Sequence, residues 1–243
     1  MRIIKLNATN STNSYLRALY SEGNLTDFTA VIAKEQTQGK GQMGALWESQ
    51  AFKNLTFSVF KDVKSLPLEL SFSISMISAL SVLKTLQLIS IPRLSVKWPN
   101  DILSADKKIC GILIENVIKY SVIEASIIGI GLNVNQTEFE NLPQASSLIN
   151  ISGSVYNLDE LALGIIENLK MYFDRFKENG IEVLIEEYES HLFRKNKPST
   201  FRDVEGVMFS GFIEGVSNLG KLQVKLEDHI LKEYDLKEIT LLY

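Results

Sequence analysis

Residues 97–115 read Lys-Trp-Pro-Asn-Asp-Ile-Leu-Ser-Ala-Asp-Lys-Lys-Ile-Cys-Gly-Ile-Leu-Ile-Glu, and this stretch says most about the fold. Two apolar runs typical of β-strands lie on either side of a turn that carries an amide, a carboxylate and two lysines. Asn100 and Asp101 offer oxygen atoms to a hard cation, and Lys108 can meet a phosphate or a carboxylate as a point charge. The stretch therefore predicts a pair of strands that holds a site for anionic groups.

The hydrophobic pattern of the rest of the chain predicts an α+β fold. Strands are expected at 3–6, 30–33, 55–60, 94–98, 109–114 and 122–134, and helices at 12–22, 66–91, 158–177 and 180–194. Because short turns join the strands and long helices lie between groups of strands, a regular β-α-β alternation is not expected. Residues 135–154 are predicted to form a polar loop.

The pattern changes near residue 196 to short strands separated by turn residues. A segment of about 45 residues of this kind predicts a small β-barrel. We therefore expect two domains, residues 1–195 with the site and residues 196–243 as an appendage. Three acidic residues ahead of the boundary are predicted to lie on a solvated helix face: Glu186, Glu187 and Glu189.

Composition and charge narrow the class of protein. The 243 residues are 45% hydrophobic and 22% charged, and their net charge of -4 argues against a sequence-independent grip on nucleic-acid phosphates. The single cysteine, Cys110, lies between apolar residues and is predicted to be a buried side chain rather than a nucleophile. Two distant histidines, His191 and His229, do not form a zinc cluster. A reducing cytoplasm is the expected location.

One apolar stretch, residues 66–91, has the composition of a membrane span. Its charges are Glu69 and Lys84, and the 14 residues between them fall short of the roughly 20 that a span needs. We predict a buried helix that covers a sheet, and no membrane partner. The first residues become polar at once, so no secretory signal is expected.

The second informative stretch is Gln-Thr-Gln-Gly-Lys-Gly-Gln-Met-Gly-Ala-Leu-Trp at 36–47. Its three glycines, Gly39, Gly41 and Gly44, let a backbone fold closely around a ligand and present N–H groups to an anion. It fits the pattern G-x-G-x-x-G, but the residues that follow do not predict a helix packed behind a strand, and the end of a Walker loop is missing. A flexible surface loop is the alternative.

Two further segments contribute polar groups. Ser11-Thr12-Asn13 opens the first predicted helix, where its side chains either cap the helix or hydrogen-bond a small polar ring such as a urea. At 129–135 an apolar strand ends in glycines and asparagines. Glycine inside a strand either allows close approach of a ligand or marks a bulge, and both alternatives stay open.

In their fixed order these four segments resemble one family, the biotin protein ligases, which attach biotin to carboxylase carrier proteins. The resemblance covers essentially the whole chain, and 97–101 followed by 108–115 is its most specific part. It implies a class II synthetase-like domain, with a mixed, mainly antiparallel sheet covered by helices, and a C-terminal SH3-like domain. It also implies formation of biotinyl-5′-AMP from biotin and ATP with Mg²⁺, and transfer of biotin to a lysine of a biotin carboxyl carrier protein. A homodimer through a sheet edge is compatible with it.

The resemblance implies roles for individual residues. Biotin is expected to contact Ser11, Thr12, Asn13, Gln36, Gly39, Lys40, Gly41, Gln42, Lys108 and Gly111. ATP and the adenylate are expected to contact Lys40, Gln42, Trp47, Lys97, Asn100 and Asn133. Lys108 and Asp101 are expected to be catalytic, with Asn100 and Asp101 near the magnesium ion. Asp101 could also accept the proton of the incoming amine, and the sequence alone does not distinguish this role from metal binding.

The chain departs from the family pattern in the glycine loop. Members commonly have arginines at three loop positions where this chain has Lys40, Gln42 and Ala45. We expect the loop to hold an adenylate more through backbone amides than through charge. Only ten residues precede Ser11, so the DNA-binding domain of repressor-type members, and DNA as a partner, are not expected.

Two other functions are weighed against this one. A lipoate ligase or octanoyl transferase has a similar catalytic domain and also uses a lysine, but the glycine loop, the Lys-Trp-Pro-Asn-Asp turn and the β-rich tail argue against it. A non-catalytic biotin or nucleotide sensor would not explain the joint presence of Gln36, Asn100, Asp101 and Lys108. Turnover separates the three functions.

Overall fold

The structure is a computed structural model that describes residues 1–23, 25–140 and 142–243. Its main element is a seven-stranded sheet of β1 (Ile3–Leu6), β2 (Ala30–Ala33), β3 (Leu55–Pro67), β4 (Leu94–Lys97), β5 (Asp101–Ser104), β6 (Lys107–Lys119) and β7 (Val122–Leu132). The spatial order is β1-β2-β3-β7-β6-β5-β4. β1 and β2 pair in parallel and the other neighbours pair antiparallel, so the predicted mixed, mainly antiparallel sheet is confirmed.

Helices cover both faces of this sheet. They are α1 (Thr12–Ser21), α2 (Ser71–Leu88), α3 (Leu148–Ser152), α4 (Leu158–Asn179) and α5 (Glu182–Ser190). The helices α2 and α4 pack against the main core on one face, and α1 packs over a smaller cluster around Leu16 on the other. Because successive strand residues point to opposite faces, Phe57 of β3 enters the main core while Ser58 points toward α1.

The serine-rich helix α2 is buried, as predicted. Ser78 and Ser81 donate their hydroxyls to the carbonyls of Ile74 and Ile77 at 2.6 and 2.7 Å, which satisfies them inside the core. By length and composition alone, the helical stretch Leu68–Leu88 is apolar enough to cross a membrane. In its apolar 18-residue segment, 61% of the residues are buried within this fold.

The structure differs from the sequence prediction in several places. β3 extends to Pro67, so the predicted helix at 66–91 begins later, at Ser71. The predicted turn between 98 and 109 contains the short strand β5, whose Ile102 and Leu103 are buried. The predicted loop at 135–154 contains α3. The prediction of a solvated acidic helix face is wrong for two of its residues. Glu187 accepts hydrogen bonds from Tyr172 and Arg175. Glu189 accepts from the N–H of Val216 at 2.9 Å. Charged side chains have the same hydrophilic signature whether they are paired or solvated.

A second, antiparallel sheet lies at the end of the chain. It contains β8 (Pro198–Asp203), β9 (Met208–Val216), β10 (Leu222–Leu226), β11 (Leu231–Tyr234) and β12 (Ile239–Leu242), in the order β11-β10-β9-β8-β12. Its first strand begins two residues after the predicted boundary at 196. The SH3-like barrel and the domain division stay predictions. Its buried residues, such as Phe201 and Val224, belong to the same core cluster as those of the main sheet.

Candidate active site

The polar segments of the sequence converge on one open cavity, whose lining combines apolar residues with several polar side chains, as in small-molecule sites. Its walls come from the start of α1, the loop after β2, and the strands β6 and β7. Eleven predicted ligand contacts line it: Ser11, Thr12, Asn13, Gln36, Lys40, Gly41, Gln42, Trp47, Asn100, Lys108 and Gly111. Four predicted residues lie outside the lining: Gly39, Lys97, Asp101 and Asn133.

Glycines form the floor of the cavity. Ile128, Ile130 and Leu132 of β7 point into the main core, so Gly129 and Gly131 lie on the face toward α1 and line the cavity. Gly111 of β6 lies directly opposite Gly131, and the β6–β7 ladder keeps its register through these residues. The glycines at 129 and 131 therefore provide close approach rather than a bulge.

The start of α1 both caps the helix and faces the cavity. Ser11 is the N-cap residue, and its hydroxyl accepts from the N–H of Ser14 at 3.5 Å. Thr12 and Asn13 are buried. The side-chain oxygen of Gln36 accepts from the N–H and the hydroxyl of Thr12 at 2.8 and 3.1 Å. Ser11 therefore caps the helix, and the triplet lines the cavity. Hydrogen bonding of the triplet to a ligand stays a prediction.

Asn13 is fixed against the floor by two hydrogen bonds. Its Nδ2 donates to Glu115 Oε2 at 2.8 Å, and its Oδ1 lies 2.6 Å from Ser58 Oγ. A Cβ on Gly129 would lie 2.4 Å from the same Oδ1, so the residue must be glycine for Asn13 to take this position. The sequence analysis missed Ser58. The available signal is its place in an alternating strand, next to an apolar residue on the core face.

The glycine loop is folded back on itself and lines the cavity. Gly41 N–H donates to the Ala45 carbonyl at 2.7 Å, and Trp47 N–H donates to the Gly39 carbonyl at 3.0 Å. A Cβ on Gly39 would lie 2.3 Å from the Trp47 carbonyl oxygen. Gly39 therefore supports the shape of the loop from behind the cavity wall.

The indole of Trp47 lies on the glycine floor. Ideal Cβ atoms on Gly131 and Gly111 would lie 2.3 and 3.0 Å from its ring. Its Nε1 is buried and has no hydrogen-bond partner among the described residues. Trp47 thus attaches the loop to the sheet and retains an N–H donor for a ligand.

The loop brings little positive charge to the cavity. Lys40 Nζ donates to the hydroxyl of Ser14 at 2.9 Å, and Gln42 lines the cavity as a neutral amide. Ala45 is exposed and lies outside the lining. Positive charge comes instead from the facing strands.

Two lysines share one carboxylate at the end of β5 and β6. Lys108 Nζ lies 2.7 Å from Asp101 Oδ1, and Lys97 Nζ lies 4.0 Å from Asp101 Oδ2. The pairing of β5 with β6 skips Ile109, and this bulge sets the direction of Lys108. Burial lowers the pKa of Lys97; the charge of Asp101 opposes that shift and the charge of Lys108 adds to it. The cluster keeps one net positive charge beside the cavity.

Two asparagines complete the surroundings of the lysines. Asn100 Nδ2 donates to the Ile112 carbonyl at 2.6 Å, which leaves its Oδ1 for a ligand. Asn133 Nδ2 donates to the Ser146 carbonyl at 3.0 Å, but its Oδ1 is buried without a partner among the described residues. A buried acceptor without a donor is costly, so Asn133 has the chemistry to accept a hydrogen bond from a bound ligand.

Replacing Cys110 with alanine is expected to leave catalytic activity within about twofold, because the thiol is a buried packing group. Burial raises the pKa of this thiol, so it is not a thiolate at neutral pH. Steady-state assays of both proteins after treatment with a maleimide check this. Rapid inactivation of the unsubstituted protein alone would show instead that the cysteine is reactive.

Comparison with known proteins agrees with this geometry. The sequence pattern of the biotin/lipoate A/B protein ligase family matches residues 6–133. The chain belongs to this family. The match covers the helix start, the glycine loop, the lysine pair and the glycine floor, which are the parts that form the cavity.

Individual members of the family show the extent of the similarity. The bifunctional ligase/repressor BirA of Bacillus spizizenii is 28% identical over 223 residues, which are 88% of this chain and 66% of that protein. A biotin–acetyl-CoA-carboxylase ligase of Mycobacterium tuberculosis is 32% identical over 165 residues, 67% of this chain and 60% of that protein. This chain therefore spans somewhat under two thirds of these relatives. The solved biotin protein ligase of Aquifex aeolicus in complex with biotin and ATP superimposes with a TM-score of 0.82 at 28% identity, covering 99% of this chain and 98% of that one.

Proposed function

We propose that this chain is a biotin protein ligase, which forms biotinyl-5′-AMP from biotin and ATP and then transfers the biotin to a lysine of a biotin carboxyl carrier protein. The observation that carries the proposal is the division of one cavity into two chemically different ends. A network of hydroxyl and amide groups lies at one end. Lys108 lines the other end, with Asp101 and Lys97 next to it outside the lining.

The neutral end suits the urea group of biotin. The network of Thr12, Asn13, Gln36 and Ser58 contains hydroxyl and amide groups, which match the donors and acceptors of a urea without leaving a charge unpaired. The glycine floor lets Asn13 and the ring of Trp47 lie close to the backbone beside this network. We therefore assign the biotin ring to this end.

The cationic end suits the first chemical step. A biotin carboxylate oxygen attacks the α-phosphorus of ATP, the bond to the β-phosphate breaks, and pyrophosphate leaves. Lys108 Nζ offsets the negative charge on the reacting groups, and Asp101 holds it in place at 2.7 Å. No side chain has to act as a nucleophile, in agreement with the buried position of Cys110.

In the second step the amine of the carrier lysine attacks the acyl carbon of biotinyl-AMP. AMP leaves with the bonding electrons, and the proton lost from the amine passes to solvent. Both oxygens of Asp101 face lysine ammonium groups. This arrangement favours a positioning role for Asp101 over that of proton acceptor. Asn133 and Trp47 retain unpaired hydrogen-bonding atoms for the adenylate.

Magnesium fits the site as an ion that arrives with ATP. Among the described residues, no three His, Cys, Asp or Glu side chains cluster to hold a metal ion. Magnesium is commonly held by one or two protein oxygens together with substrate phosphates. Asn100 Oδ1 would offer such an oxygen, and Asp101 would offer one only by giving up a contact with Lys97 or Lys108. The ion would stabilise negative charge on the phosphates.

The sheet edges bear on the proposed partners. Val96 of β4 donates to the His191 carbonyl and accepts from Phe193 N–H, both at 2.8 Å, so residues 191–193 cover that edge. A homodimer through an edge of the main sheet would therefore use β1. A cytoplasmic location is part of the proposal, because an unpaired buried cysteine suits a reducing compartment.

The proposed function is tested with purified protein, ATP, Mg²⁺ and an apo carrier domain, supplied with either biotin or lipoate. Label transfer from biotin alone is the expected result. Transfer from lipoate would identify a lipoate ligase, and transfer from neither would favour a sensor. Both of those outcomes contradict the proposal.

Replacing Gln42 with arginine is expected to reduce release of biotinyl-AMP into solution by about three- to tenfold, because a charged hydrogen bond is added beside the phosphate end of the cavity. Single-turnover reactions without carrier, with the free and bound adenylate separated by rapid filtration, measure the release. Leu46→Arg is the matched control, since Leu46 is exposed, does not line the cavity and lies in the same loop. Equal release from the Gln42→Arg and unsubstituted proteins would show that the loop holds the adenylate without need of this charge.

A further inference from the structure

The ammonium of Lys97 is held unusually for a half-buried cation. Its side chain is 26% exposed, and its contact with Asp101 is long, at 4.0 Å. At this distance the contact is an ion pair and not a hydrogen bond. What lies close to it is an aromatic ring: Nζ is 5.1 Å from the ring centroid of Tyr243.

Tyr243 is itself fixed by the residues around it. Its ring packs edge-to-face on Phe193, with centroids 5.1 Å apart and planes at 67°. Its carbonyl accepts from Gln144 Nε2 at 3.3 Å, and the Gln144 carbonyl accepts from the backbone N–H of Lys108 at 2.7 Å. Tyr243 thus connects the second sheet to the strand that carries Lys108.

A ring and a carboxylate hold an ammonium in different ways. A carboxylate accepts N–H hydrogen bonds and so consumes the donors of the cation. The face of an aromatic ring attracts the charge as a whole, so N–H donors remain for another acceptor. A flexible lysine that is already ordered loses less conformational entropy when an anion binds. Lys97 is therefore prepared to receive an anion beside Lys108.

We propose that Tyr243 is a positioning residue for ATP, whose ring orders Lys97 so that this ammonium contacts the β- and γ-phosphates that leave as pyrophosphate. The proposal rests on the proposed function, since it assigns the leaving group of that reaction. It gives the second sheet a direct part in nucleotide binding. Lys108 serves the reacting carboxylate and α-phosphate, and Lys97 serves the phosphates beyond them.

The test uses Tyr243→Leu, which keeps apolar volume beside Phe193 and removes the aromatic face, with Tyr243→Phe as the matched control that keeps the ring. Biotin-dependent exchange of pyrophosphate into ATP is measured with each substrate varied in turn. Tyr243→Leu is expected to raise the KM for ATP by about three- to tenfold, with the KM for biotin and kcat changed by less than about twofold. Tyr243→Phe is expected to behave as the unsubstituted protein.

A second comparison shows whether the effect passes through Lys97. In a Lys97→Met background, Tyr243→Leu should raise the KM for ATP by less than about twofold, because the interaction that it removes is already absent. A full additional rise there, equal rises for ATP and biotin, or a Tyr243→Phe variant as impaired as Tyr243→Leu would each overturn the proposal. If the unsubstituted protein shows no biotin-dependent exchange of pyrophosphate into ATP, the proposed function itself is wrong.

Discussion

Replacing Lys108 with methionine is expected to slow formation of biotinyl-AMP by about 10²- to 10³-fold, comparable to the loss of a donor that stabilises transition-state charge. Lys108 is the ammonium that lines the cavity from the strands and is fixed by Asp101 at 2.7 Å. The substitution also removes the close counter-ion of Asp101 and leaves Lys97 at 4.0 Å. Repulsion between that carboxylate and the substrate's negative groups would then oppose the first step.

Quenched single-turnover assays of adenylate formation measure this effect directly. Lys107→Met is the matched control, because the neighbouring lysine donates to the Pro143 carbonyl at 2.9 Å and lies outside the cavity lining. We expect the control to stay within about twofold of the unsubstituted protein. Near-normal adenylate formation by Lys108→Met would remove Lys108 from the chemical step.

Replacing Gly129 with alanine is expected to weaken biotin binding by about 100-fold, or about 2.7 kcal/mol. The new Cβ would lie 2.4 Å from Asn13 Oδ1, a distance at which something must move. Movement of Asn13 breaks its contacts with Ser58 and Glu115 and leaves their polar groups unpaired at the neutral end. Calorimetric titration with biotin measures the loss, and ATP binding should change little.

The origin of this effect is checked in a background that lacks the obstructed side chain. In Asn13→Ala, which already binds biotin weakly, adding Gly129→Ala should cause little further loss because the clash is gone. If the losses of biotin affinity caused by the two substitutions are additive, the alanine at position 129 does not act through Asn13. Far-UV circular dichroism of each variant shows that the sheet is intact.

Much of the cavity could be predicted from the sequence because its residues lie in short local patterns. The triplet at 11–13, the loop at 36–47 and the turn that carries Asn100 and Asp101 each combine residue types that suit polar ligands. Eleven of the predicted residues line one cavity. Local patterns also placed the strands, since alternation of side chains is set by backbone geometry.

What escaped prediction depends on contacts between distant parts of the chain. Ser58 takes part in the site because β3 pairs with β7 and places it opposite Gly129. Tyr243 reaches Lys97 because the second sheet returns to the edge of the first. The bulge at Ile109, which directs Lys108, is visible in the pairing of two strands and in no single segment. Sequence spacing carries no direct record of such contacts.

The shared hydrophobic core has a consequence for how the chain can be altered. Domains that are exchanged as independent units have separate cores and meet across limited, more polar interfaces. Here Phe201 and Val224 of the second sheet belong to one cluster with Phe57 and Ile130 of the first. Trp98, in the turn before Asp101, also donates to the Gly220 carbonyl at 2.8 Å. The second sheet therefore cannot be exchanged as an independent unit. Replacing it with the corresponding sheet of another protein would require the residues of the main sheet that pack against it to be redesigned as well.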